Sequence, residues 1–168
     1  HADVLVDSHS GGALLAFLPV AGFYDPGDRI DADTSARSLT LARQLGLPHV
    51  WRLPEQPGVL PFEAAKRGVT VTGAEVGGRG HAHRGDVEAY LRAYLSVLAH
   101  RGMVDRNRAA PLSTARLDGD WQRAPAGGYL DLAVDLGSAV RAGDRLARLR
   151  STTGEIVATM EAETDGIV

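Results

Sequence analysis

A chain of 168 residues, 44% hydrophobic and 23% charged, has the makeup of an ordinary globular protein: one domain of typical size, with room for a smaller neighbour. A net charge of −3 gives no attraction toward nucleic acid or an anionic membrane, and no apolar run is long enough to span a bilayer. Cysteine is absent, which excludes disulfides and thiolate metal sites, so a metal would need histidine and carboxylate ligands.

The first residue is histidine rather than methionine, and Val168 falls inside a predicted strand, so a fragment cut at both ends is expected. The chain begins with Val4-Leu5-Val6, an apolar run that ends in Asp7-Ser8-His9-Ser10 and the pair Gly11-Gly12. Such a run, closed by glycine, predicts a buried strand leading into a loop. Ala13 to Val20 is apolar and predicts either more extended chain or a buried turn, and Phe23 to Asp28 has loop chemistry. A helix is expected from Asp33 or Thr34, either of which can serve as N-cap, with Ala36, Leu39, Ala42 and Leu45 on one face. Gly46 and Pro48 close it.

His49 to Leu53 predicts a strand, Leu60 to Arg67 a short helix closed by Gly68, and Val69 to Gly78 a second strand ending in a polar residue and glycines, here Glu75 and Gly77-Gly78. The clearest helix follows, with Asp86 as N-cap, an apolar stripe at Val87, Tyr90, Leu91, Tyr94, Leu95, Val97 and Leu98, and Gly102 at its end. Alternating strands and helices predict a parallel sheet with crossover helices. From Ala110 the helical period disappears. Closely spaced turn signals separate short runs at 129–134, 145–149 and 156–160, which predicts a small all-β unit.

Ligands of open α/β sheets bind beyond the carboxyl ends of the strands, where both His9 and Glu75 are expected. A histidine and a glutamate in one crevice are suited to be a metal ligand and a general base. The adjoining glycines would let a ligand approach the backbone and would offer N–H groups to an anion. Plainer roles are open to both side chains: the imidazole can bond to backbone, and the carboxylate can stand in solvent.

Val6-Asp7-Ser8-His9-Ser10-Gly11-Gly12 and Thr72-Gly73-Ala74-Glu75-Val76-Gly77-Gly78 resemble paired segments of the succinylglutamate desuccinylase and aspartoacylase family. That family comprises zinc amide hydrolases of zinc-carboxypeptidase-like fold. The tail, Asp135 to Asp144 and Asp165-Gly166-Ile167-Val168, resembles its C-terminal β-domain, so the likeness runs in order along nearly the whole chain. The subgroup it most resembles deacetylates acetylated diaminobutyrate in ectoine utilisation. The resemblance implies an α/β fold, in part a three-layer parallel or mixed sheet of zinc-carboxypeptidase-like type, over 1–108. A small all-β barrel-sandwich domain would follow over 109–168, truncated at its C-terminus.

The resemblance also implies a cytoplasmic deacylase with Zn²⁺ as cofactor, His9 as a metal ligand and Glu75 as general acid and base. Its partner would be a small N-acylated amino acid, and a homo-oligomer is possible. The family's other two ligands, an upstream His-x-x-Glu, and its arginine motif for the substrate carboxylate have no counterpart here, so the fragment alone is expected to be inactive.

Arg79 is the candidate to bind a substrate carboxylate, because guanidinium can hold one bidentately. His81 and His83 would share a side in an extended segment and could chelate a metal, although Arg79, Arg84 and the nearby glycines suit a solvated cationic loop. The β-unit also resembles biotinyl or lipoyl carrier domains. The only lysine, Lys66, lies outside it, so cofactor attachment is excluded. Two further readings stay open: a non-catalytic binding or assembly module, and a zinc carboxypeptidase acting on peptides.

Overall fold

The computed structural model describes residues 2–119 and 121–168. These form two compact units, His1–Gly119 and Asp120–Val168. The division falls later than the expected 108/109 boundary because β5, defined below, belongs to the first sheet.

The first unit is a mixed five-stranded sheet in the order β1-β4-β2-β3-β5. Its strands are β1 (Val4–His9), β2 (Ala16–Phe23), β3 (His49–Arg52), β4 (Thr70–Gly78) and β5 (Ala115–Leu117). β1 runs parallel to β4, and β2, β3 and β5 run parallel to one another, but β2 is antiparallel to β4. Of the parallel and mixed alternatives the sheet is therefore the mixed one, and the parallel pattern read from alternating strands and helices is broken between β4 and β2. The turn after β1 is too short for a crossover helix, so it reverses the chain, and β4 later inserts between the two strands. Phe23, expected in a loop, is the last residue of β2. Register slips between Phe17 and Val20, where Pro19 has no N–H to give the ladder.

Alternation along the strands divides the side chains between two faces. On one face Val4, Val6, Ala21, Phe23, Val50, Ala74 and Val76 pack with Leu41 and Leu45 of helix α1 (Ala32–Gln44) and its end, and with Ala93 and Val97 of helix α3 (Arg84–His100). On the other, Leu5, Leu53, Tyr24 and Val71 pack with Phe62 and Ala65 of helix α2 (Leu60–Ala65). The result is a three-layer α/β unit.

Two helix starts differ from expectation. Asp31, not Asp33 or Thr34, caps α1: its carboxylate accepts from the Thr34 N–H at 2.8 Å and the Thr34 hydroxyl at 2.6 Å. The buried face of α1 is accordingly richer in hydroxyls than the apolar spacing suggested. Ser35 donates to the Tyr24 carbonyl at 2.7 Å, and Ser38 accepts from the Val71 N–H at 3.1 Å, while Ala36 is exposed. His83, without a side-chain cap bond, precedes α3, and Asp86 sits in the first turn. Only the inner part of the α3 stripe is buried, for Val87, Leu91 and Tyr94 stay exposed. Among the described residues, no helix is long and apolar enough to cross a membrane.

The second unit has two antiparallel sheets. β6 (Tyr129–Leu132), β8 (Arg145–Arg150) and β9 (Ile156–Glu161) form one, ordered β6-β8-β9, and β7 (Ala139–Val140) pairs with β10 (Gly166–Ile167) in the other. Its buried apolar side chains are small in number, Ala147, Leu149 and Ala162. Leu130, Leu132, Val140, Met160 and Ile167 line a cavity of about 670 Å³.

Candidate active site

The parallel pairing of β1 with β4 ends in a single pair: His9 lies directly opposite Glu75. Opposed residues in neighbouring strands point to the same face, so imidazole and carboxylate share one side of the sheet, that of α2. The sequence placed both at strand ends. Their immediate adjacency follows from β4 inserting beside β1.

Asp7, two residues before His9, faces the same side, and its Oδ2 lies 2.9 Å from His9 Nε2. That hydrogen bond is the main reason the His9 imidazole stays protonated to higher pH than usual. Partial burial opposes the shift, and the charges of Asp7 and Glu75 add to it. Burial raises the Glu75 carboxyl above the ordinary range, moderated by the attraction of His9. Glu75 Oε2 is buried and has no hydrogen-bond partner. The site thus combines an oriented histidine with a carboxylate held in surroundings that disfavour its charge.

Helix α3 fixes the two strand ends through Tyr90. The hydroxyl accepts from the His9 N–H at 3.1 Å, and its single proton lies within reach of the carbonyls of His9 and of Ala74, the latter at 2.8 Å. The Tyr90 ring stacks on Tyr94 with centroids 5.9 Å apart, and the Tyr94 hydroxyl bonds Ser8 Oγ at 2.6 Å. Asp7 and the two tyrosines were not singled out as site residues in the sequence. Asp7 left one clue, the two-residue spacing that puts it on the face of His9. Tyr90 read simply as part of an apolar stripe.

The glycine pairs do something other than expected. Gly11 donates its N–H to the Gly77 carbonyl at 3.1 Å, Arg79 to Leu15 at 2.8 Å and Gly80 to Gly12 at 2.7 Å, so the two loops are zipped together. At Gly78, with φ +137°, a Cβ would stand 2.2 Å from the Leu15 carbonyl oxygen. Close packing of loop on loop, rather than the approach of a ligand, requires this glycine.

Arg79 follows in the left-handed region, φ 58°, a conformation uncommon for a residue with a side chain, and its side chain is exposed. His81 and His83 are exposed with ring centroids 5.6 Å apart, yet among the described residues no group of three histidines or carboxylates could hold a metal ion.

For a catalytic zinc, which takes three protein ligands and keeps one position open, the residues present fit one ligand. With His9 Nε2 held by Asp7, Nδ1 is the nitrogen left for a metal, and a carboxylate behind a ligating histidine both orients the ring and makes it more basic. Among the described residues no group supplies the full set of ligands.

The fold of this α/β unit and the strands that follow is similar to that of solved succinylglutamate desuccinylase/aspartoacylase structures, and the chain resembles that family. It is 28% identical to the N-alpha-acetyl-L-2,4-diaminobutyric acid deacetylase of Halomonas elongata over 99% of its own length and 51% of that protein. It is 25% identical to the ectoine utilization protein EutE (DoeB) of Ruegeria pomeroyi in its product-bound structure, with a TM-score of 0.83 over 99% of this chain and 52% of that one. A succinylglutamate desuccinylase/aspartoacylase structure from Rhodobacter sphaeroides shares the fold, with a TM-score of 0.79 at 24% identity, over 99% of this chain and 52% of that one. No family model matches the chain. The chain spans about half the length of the curated relative it matches.

Proposed function

We propose that the chain carries part of the active site of a zinc-dependent deacylase that hydrolyses the amide bond of a small N-acylated amino acid in the cytoplasm. The observation that carries this reading is the in-register pair His9–Glu75. His9 contributes one metal ligand through Nδ1, with Asp7 holding the opposite nitrogen. The remaining ligands come from the half of the relatives that these residues do not span. Bound zinc supplies a Lewis acid and lowers the pKa of water toward neutrality.

The chain's own residues then manage the proton. Glu75, its carboxyl raised by burial, takes a proton from the attacking water and returns it to the departing amine nitrogen. Tyr90 holds the backbone on which both groups depend. Arg79, on a backbone that a side chain rarely adopts, is the candidate to bind the substrate carboxylate. The name of the Halomonas elongata relative makes Nα-acetyl-2,4-diaminobutyrate the first substrate to try.

The test is to co-express the chain with the half of that deacetylase it does not span, add zinc, and measure acetate release. Turnover is expected with the wild-type pair, and Glu75→Gln should lower kcat by about 10²–10⁴-fold with zinc content retained. Near-parental turnover in Glu75→Gln removes Glu75 as the base. A zinc-loaded complex that releases no acetate from any N-acyl amino acid removes the deacylase reading, and cleavage of peptides instead would make it a carboxypeptidase.

A further inference from the structure

Two histidines stand outside the proposed chemistry, at the turn between β4 and α3. His81 returns to the last residue of β4, its N–H reaching the Gly78 carbonyl at 3.3 Å, and His83 is the N-cap of α3. The backbone beneath them is held on both sides. Arg79 and Gly80 are tied to the loop after β1, and the His83 carbonyl accepts from the Asp86 N–H at 3.0 Å and the Val87 N–H at 3.2 Å. His83 is extended, with φ −69° and ψ 146°, so the side chains of residues 81 and 83 come to one side.

Both rings are exposed, and among the described residues neither makes a hydrogen bond or an ion pair. Their centroids lie 5.6 Å apart with the planes at 41°. A metal bonded at about 2.0–2.1 Å to one nitrogen of each ring would hold the centroids about 5 Å apart. The observed separation is therefore a small side-chain rotation away from a chelate. The neighbouring charges permit one. Arg84 is drawn off by Glu88, Nε to Oε1 at 2.7 Å, and Asp86 lies in the same first turn of α3, while Arg79 is exposed to solvent that screens it.

We propose that His81 and His83 form a two-nitrogen chelate for a divalent cation of the Zn²⁺, Ni²⁺ or Cu²⁺ class, clipping the end of β4 to the start of α3. Imidazole suits these ions, whereas Mg²⁺ and Ca²⁺ take oxygen ligands. Either ring nitrogen can serve, whichever tautomer each ring holds. Among the described residues no third histidine or carboxylate joins the pair, so water or a small anion fills the remaining positions. The site shares no residue with the pair His9–Glu75 and does not rest on the deacylase reading. Its consequence for the fold is local: the bound ion fastens the turn that carries Arg79.

The experiment titrates Zn²⁺, with no other ligand, into the ¹⁵N-labelled 168-residue chain and follows each imidazole by NMR. The curves are read at His81 and His83 themselves, so Zn²⁺ taken up elsewhere does not enter them. Both rings are expected to shift along one binding curve, and amide exchange at Arg79 and Gly80 should slow as the site fills. Loss of a group that merely supports a ligand costs about 10–100-fold in metal affinity, so His81→Ala or His83→Ala should each weaken binding at the surviving ring by roughly 10-fold or more. His100→Ala, a histidine at the far end of α3, should leave the curve unchanged, and millimolar Mg²⁺ should move neither ring. Separate curves for the two rings, an unchanged curve at the surviving ring, an equal response to Mg²⁺, or no shift at either ring each overturns the site.

Discussion

The two ends of β4 differ in how their polar groups are treated. At its start the Val71 N–H is taken by Ser38 Oγ at 3.1 Å, the Thr72 hydroxyl donates to the Gly22 carbonyl at 2.8 Å, and Arg37 Nε donates to Thr70 Oγ1 at 3.1 Å. Phe62 and Tyr24 pack there with ring centroids 5.3 Å apart. At its finish Glu75 keeps a buried oxygen without a partner, and Gly77, Gly78, Arg79 and Gly80 all have positive φ. Unpaired groups and uncommon backbone gather where chemistry is proposed, and the satisfied end carries the cost of holding them. A strand can be most stable at one terminus and most useful at the other.

That contrast can be broken from the stable end. Phe62→Ala should cost about 3–5 kcal/mol in urea denaturation, because a fully buried ring is lost from a core that cannot refill it. A loss below about 1 kcal/mol would show that α2 is not what anchors the start of β4.

Tyr90→Phe should have a smaller effect, about 1 kcal/mol, through one lost hydroxyl shared between two strand ends. Amide hydrogen exchange gives the sharper readout. Exchange should speed up at His9 and stay unchanged at Val71, and uniform acceleration along β4 would mean that the tyrosine only anchors the helix.

The smallest effect concerns pH. Burial raises the Glu75 carboxyl in the folded chain above its unfolded value. Folding is therefore penalised once the unfolded chain ionises there: the cost is absent in acid and grows as pH rises from the ordinary carboxylate range through the raised value. In the metal-free chain, Glu75→Gln should raise Tm at neutral pH and leave it unchanged in acid. A lower Tm at pH 7 would mean that the ionised carboxylate is stabilised in the fold after all.

The site pair was legible because a polar residue followed by glycines marks the end of a strand, and His9 and Glu75 both carry that mark. Their contact was not, because register between distant strands depends on the order of the sheet. The short turn that turns β2 antiparallel and leaves room for β4 reads equally well as continued extended chain. Helix starts were misplaced by two or three residues, since Asp31 competes with Asp33 and Thr34 as a cap and only the folded loop selects among them. The second unit's runs were recovered nearly residue for residue, because turn signals at short intervals leave little freedom. The first-unit strand β5 was missed, its three residues being too few to show any period.

β1 is the outermost strand of its sheet, and among the described residues nothing pairs with its far side. Its Val-Leu-Val run therefore offers a ledge of unclaimed amide and carbonyl groups to any extended chain that drifts past. Produced by themselves, these residues should stick to one another as concentration rises, and a single proline placed in β1 would be a simple remedy to try at the bench.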